Sequence, residues 1–172
     1  MENTYLFYAL GASVLALAYG VFLIFKILKQ PQGDKKMREI ASAIQEGSKA
    51  YLARQYKTIG MVALVVVVIM YLVGFPGTTI IAFILGATLS AVAGFVGMNI
   101  SVRANVRTTE AAKSGLASAL SIAFEGGSIT GLFVVGLGLL SVSGFYLVTK
   151  DLQALIGLGF GASLISVFAR LG

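Results

Sequence analysis

The sequence predicts an all-α fold: a polytopic membrane bundle of about five transmembrane helices with helical extensions on the cytoplasmic side. Three observations predict it. Of the 172 residues, 58% are hydrophobic and only 12% are charged, with a mean hydropathy of +0.92. A water-soluble domain of that size needs far more polar surface over its core. The apolar residues gather into five stretches, each near the roughly 20 residues that cross a bilayer. Almost all the basic residues lie in two of the segments between those stretches.

The first stretch covers residues 5–25 and is closed by Lys26 and Lys29. No basic region precedes it and it is too long for the apolar part of a signal peptide, so it is read as an uncleaved membrane helix. The second, residues 59–73, is short and rich in valine. Valine favours strands in water, but in lipid the backbone must satisfy its own hydrogen bonds, so a helix is predicted. Phe75-Pro76-Gly77-Thr78 then forms an uncharged turn. The third stretch is residues 79–102, closed by Arg103; the fourth is residues 129–148, closed by Lys150 and Asp151; the fifth is residues 152–170, ending on Arg170. The whole chain, residues 1–172, reads as one membrane domain.

Charge sets the orientation. Lys26, Lys29, Lys35, Lys36, Arg38, Lys49, Arg54 and Lys57 fall between the first two stretches, and Arg103, Arg107 and Lys113 between the third and fourth. The opposite side holds Lys150 alone. The positive-inside rule puts both basic segments in the cytoplasm and the N-terminus outside. This distribution explains the net charge of +6 without nucleic acid, and the bilayer itself is the expected partner. Within the first basic segment, Pro31-Gln32-Gly33-Asp34 breaks the chain. Met37, Ile40, Ala41, Ile44, Ser48 and Tyr51 then recur at helical spacing, which predicts an amphipathic helix over residues 36–56 running into the second span. In the second basic segment, Leu116, Leu120 and Phe124 share a face of a helix predicted to start near Thr109.

Composition excludes several chemistries. The chain has no cysteine and no histidine, which removes disulfides, thiol nucleophiles, histidine acid–base catalysis and nearly every zinc site. Its seven acids are scattered, and neither Glu46 nor Glu125 belongs to a carboxylate cluster able to hold Mg²⁺. Both are expected to face water or to pair with neighbouring bases. Gly157-Leu158-Gly159-Phe160-Gly161 lacks the spacing and βαβ setting of a dinucleotide site. The sequon Asn99-Ile100-Ser101 falls inside a span and is discounted. Gly86, Ser90 and Gly94, then Gly127 and Gly131, then Gly157 and Gly161, are spaced by four and predict close helix packing. The basic cluster of residues 26–57 is read as setting topology and touching acidic lipid rather than as binding a substrate. Arg170 has two readings: a helix-end charge reaching the cytoplasmic surface, or a charge inside the bundle paired with an acid of another helix.

Four segments carry a family resemblance. Glu39-Ile40-Ala41-Ser42-Ala43-Ile44-Gln45-Glu46-Gly47 with Tyr51-Leu52-Ala53-Arg54-Gln55-Tyr56-Lys57-Thr58 resembles the first cytoplasmic segment of the membrane-bound, ion-pumping pyrophosphatases. Gly97-Met98-Asn99-Ile100-Ser101-Val102-Arg103-Ala104-Asn105-Val106-Arg107-Thr108 is similar to that family's third-helix signature. Gly126-Gly127-Ser128-Ile129-Thr130-Gly131-Leu132 and Gly159-Phe160-Gly161-Ala162-Ser163-Leu164-Ile165-Ser166-Val167-Phe168-Ala169-Arg170 fit in the family's order.

The resemblance implies a homodimeric pump that couples hydrolysis of Mg²⁺-pyrophosphate to outward movement of H⁺ or Na⁺, with K⁺ as a further cation in K⁺-dependent members. It implies that this chain corresponds to the first four helices and most of the fifth, and that the Asp, Lys and Glu motifs of the hydrolytic site lie beyond Gly172. It matches Arg170 to the family's ion-gate and coupling arginine, which strengthens the interior reading. No catalytic, cofactor-binding or metal-binding residue is carried over, and Glu125 departs from the family's pattern. The isolated chain is expected to be inactive, an N-terminal fragment of an enzyme. The rival expectation is a small free-standing membrane protein, a transporter-like scaffold or interaction module without enzymatic activity.

Overall fold

The computed structural model describes residues 2–170, with side chains from residue 3 to residue 166. Five helices follow one another: α1 (Glu2–Leu28), α2 (Lys35–Val73), α3 (Gly77–Ala112), α4 (Leu116–Thr149) and α5 (Leu152–Arg170). Each of the five apolar stretches lies inside one of them. α1 to α4 are long and apolar enough to cross a membrane, and α5 is a shorter apolar helix. Their outward faces are apolar too: Leu15, Tyr71 and Leu72 are each more than 70% exposed. Such a surface is unstable against water, so the chain is an integral membrane protein.

The breaks have local causes. Asp34 caps α2, its carboxylate accepting from the Met37 N–H at 2.9 Å. The amphipathic segment and the second span form one unbroken helix of 39 residues. Gly74, with φ of 86°, ends α2 in the left-handed region, where a side chain is disfavoured. The predicted helix beginning near Thr109 is not observed as such. Thr109 belongs to α3, which runs on past the predicted span to Ala112, and a turn at Lys113, Ser114 and Gly115 separates it from α4. Gly115 has a φ of 123°, which interrupts helical propagation there. Leu116, Leu120 and Phe124 therefore open α4 and are all exposed.

α3 is the hub. Leu23 and Ile27 of α1 meet Ile100 and Ala104 of α3 and Ile129 of α4. Ile59 of α2, Ala87 of α3 and Ile165 of α5 form a second cluster, and Ala82 with Ala154 and Leu158 a third. α1 packs chiefly on α4 and α2 chiefly on α3, while α1 and α2 make no contact among the described residues. α1 and α4 run antiparallel, tied at one end by Lys150 to Asn3 at 2.8 Å and at the other by Lys26 to Glu125 at 2.5 Å. At the Lys150 end, Asp151 caps α5 through the Gln153 and Ala154 N–H groups and accepts from the Thr78 hydroxyl.

Candidate functional site

α3 and α5 are parallel and touch backbone to backbone. A Cβ on Gly157 would meet the Thr79 carbonyl, one on Gly161 the Phe83 carbonyl, and one on Gly86 the Leu158 carbonyl, all inside contact distance. The Ser90 hydroxyl donates to the Ala162 carbonyl at 3.0 Å. Small residues thus serve the packing role their spacing predicts. Gly127 and Gly131 do not: a Cβ at either meets nothing within 4 Å.

This register fixes the level of Arg170. Ile165 lies beside Ala87 of α3 and Ile59 of α2. Carried along the parallel pair, Gly161 beside Phe83 and Ile165 beside Ala87 put Arg170 level with Val92, while Leu158 beside Gly86 and Ala162 beside Ser90 put it level with Met98, so the end of α5 stands between those two residues of α3. At about 1.5 Å per residue, that level is ~20–28 Å from Thr79 and ~8–16 Å from Arg103. The backbone of Arg170 therefore stands within α3's apolar stretch, in its half toward the basic end and short of Arg103. Its side chain lies outside the described residues.

The same register moves residues of the first basic segment. Arg54 and Lys57, expected in the basic segment whose helix runs into the second span, stand on α2 beside the middle of α3, and both are exposed. Because α2 is one continuous helix packed along α3, its polar half cannot leave the bundle before that level. Tyr56 anchors it there, donating to the Ala91 carbonyl at 2.7 Å and meeting the Phe95 ring edge-on.

At the basic end, Arg107 is buried, 5% exposed. It donates to the Arg103 carbonyl at 2.7 Å and to the Leu28 carbonyl at 3.0 Å, so it satisfies an orphan acceptor at the end of α1. Asp34, Lys113 and Glu110 link the start of α2 to the end of α3: Lys113 lies 2.6 Å from Glu110 and 3.7 Å from Asp34. The hydrogen bond from the Met37 N–H, with help from Lys113, holds the Asp34 carboxyl below its ordinary value. The hydrogen bond to Glu110, and then the charge of Asp34, raises Lys113. Glu125 is taken by Lys26, whereas Glu46 is exposed and makes no ion pair among the described residues.

Sequence reasoning missed Arg107, which it counted only as a loop base. The available signal was the continuation of α3's buried stripe: Gly97, Ile100, Ala104 and Arg107 recur at three- and four-residue spacing. Among the described residues no group of three or more acidic, histidine or cysteine side chains could hold a metal ion. What the arrangement supplies is two exposed basic side chains, Arg54 and Lys57, on α2 beside the middle of α3.

A family model described as inorganic H⁺ pyrophosphatase matches residues 14–172. The chain is 49% identical over 162 residues to a K⁺-insensitive pyrophosphate-energized proton pump of Methanosarcina mazei, covering 94% of this chain and 24% of that protein. It is 41% identical over 168 residues to a K⁺-insensitive pyrophosphate-energized proton pump 2 of Moorella thermoacetica, covering 94% and 25%. It is 40% identical over 172 residues to a putative K⁺-stimulated pyrophosphate-energized sodium pump of Clostridium tetani, covering 99% and 25%. The chain spans about a quarter of the length of these curated relatives.

Proposed function

Because the chain belongs to the inorganic H⁺ pyrophosphatase family, we propose that it is the N-terminal part of a primary pump coupling hydrolysis of Mg²⁺-pyrophosphate to transport of H⁺ or Na⁺. The match along nearly the whole chain favours this reading over a free-standing scaffold. In the proposal, the intact protein is a homodimer whose Mg²⁺ ligands come from residues outside this chain, with K⁺ as a further cation if the protein is of the K⁺-dependent kind. The N-terminus is outside and the basic segments are cytoplasmic.

Within that pump we assign Arg170 to the ion gate. The observation that carries this is the level of its backbone, within α3's apolar stretch and short of Arg103. An arginine at mid-membrane costs several kcal/mol unless it is paired or hydrated, which favours an interior position over a helix-end charge. No acid of the described part of α3 or α5 lies near that level, so its carboxylate partner comes from another part of the protein.

The test is hydrolysis and pumping measured side by side in proteoliposomes of the full-length protein. Arg170→Ala should lower pumping by at least about tenfold, equivalent to ~1.4 kcal/mol, with expression little changed. Arg170→Lys should not fully restore it, because an ammonium lacks the planar fork of donors. Near wild-type pumping by Arg170→Ala would remove the gate assignment and leave Arg170 an ordinary helix-end charge.

A further inference from the structure

We propose that the cleft between α1 and α2 binds one anionic phospholipid of the leaflet at the basic end of the bundle. The two helices do not touch, and α3 floors the space between them. The cleft has a volume of about 790 Å³. Ile24 of α1, Leu52 of α2, and Phe95, Val96 and Ile100 of α3 give it apolar walls. Lys49 and Arg103 line it as well, and the same two residues line an adjoining depression with Gln45 and Ser48.

Three features together select a lipid. Lys49 and Arg103 face the cleft with no carboxylate paired to either among the described residues, so they lack an anion. The remaining walls offer little for a free phosphate or pyrophosphate, whose every oxygen needs a donor, but they suit an acyl chain. The charged pair also stands at the level where α1's apolar stretch gives way to Lys26, and the apolar walls extend from there toward mid-height, down to Tyr56 and Phe95. That is the order of headgroup and tail in a leaflet, and basic pockets between membrane helices hold anionic headgroups in this way. The long Lys49 side chain contributes its stem to the wall and its ammonium to the mouth.

The experiment is native mass spectrometry of the full-length protein, loaded in detergent with phosphatidylglycerol or with phosphatidylcholine of the same acyl chains. The wild type should retain phosphatidylglycerol adducts about tenfold more abundantly than phosphatidylcholine adducts. Lys49→Gln with Arg103→Gln should abolish that preference, whereas Lys150→Gln, at the opposite end, should leave it intact. Ala53→Phe fills the cleft without changing its charge and should lower retention of both lipids, which keeps the test decisive if the double variant does not fold. Pyrophosphate should not displace the lipid. Equal retention of the two lipids, unchanged adducts in the double variant, or displacement by pyrophosphate overturns the proposal. So does disulfide capture of Ala53→Cys by a cysteine placed on a helix beyond residue 172, since the cleft is then filled by the protein itself. The readout is bound mass, so it is unaffected by the outcome of the Arg170 pumping test.

Discussion

The guanidinium of Arg107 reaches the last carbonyl of a helix to which it does not belong, and that contact closes the α1 end against α3. Hydrogen bonds from a charged donor contribute roughly 1.5–3 kcal/mol, about twice a neutral one. Arg107→Met keeps the side chain's length and loses both bonds, so it should destabilise the protein by about 1.5–3 kcal/mol in an unfolding titration. An unchanged midpoint would show that the two carbonyls are equally well served by water. The charge of Arg107 was plain in the sequence, but its burial could be read only from the spacing of Gly97, Ile100, Ala104 and Arg107, and only if α3 ran ten residues past the end of the predicted apolar stretch to Ala112. The height of Arg54 and Lys57 beside α3 was not legible for a related reason. A run of charge signals loop or surface when read along the chain, and only the packing of α2 on α3 shows that this exposed charge stands beside the middle of α3.

At the scale of helices, the apolar stretches and the turn at Pro76 were readable because length and hydropathy decide them locally. The α3–α5 seam was half readable: the spacing of Gly157 and Gly161 announced a small face but not its partner. Two substitutions two residues apart should separate these ideas. Gly161→Ala places its Cβ against the Phe83 carbonyl and should destabilise by about 1–3 kcal/mol, as overpacking does. Gly159→Ala meets nothing within 4 Å and should stabilise by up to ~1 kcal/mol through helix propensity. Thermal melts in detergent that move the same way would contradict the seam. The start of α2 should respond to acid. The Asp34 carboxyl is depressed in the folded state, so its contribution is present above its ordinary value of 3.8 and is lost as pH falls through the folded value. Wild type should therefore outlast Asp34→Ala at neutral pH and lose that advantage in acid. Asp34→Asn, which retains the cap but not the charge, should fall between them at neutral pH. A wild-type advantage that persists in strong acid would assign the effect to the backbone cap alone.

For the whole molecule, orientation rests on charge: the opposite end of the bundle carries Lys150 against the many bases of the other. Gly77→Cys, in the turn at that sparse end, should react with a membrane-impermeant thiol reagent added outside intact cells, the chain having no cysteine of its own. Labelling only after the inner face is exposed would invert the assignment. The separation of α1 from α2 has a further consequence, for biosynthesis. The first two helices to be made are neighbours in the chain but share no surface, and the main partner of each is synthesised later: α3 for α2, and α4 for α1. A ribosome must therefore deliver more than a hundred residues before α1 can dock. In water, a half-made chain waiting that long would expose its apolar faces to aggregation. In a bilayer each helix is already stable alone, with its backbone bonds closed and lipid covering its sides. The delay therefore costs the chain little, and insertion and assembly can proceed as separate events.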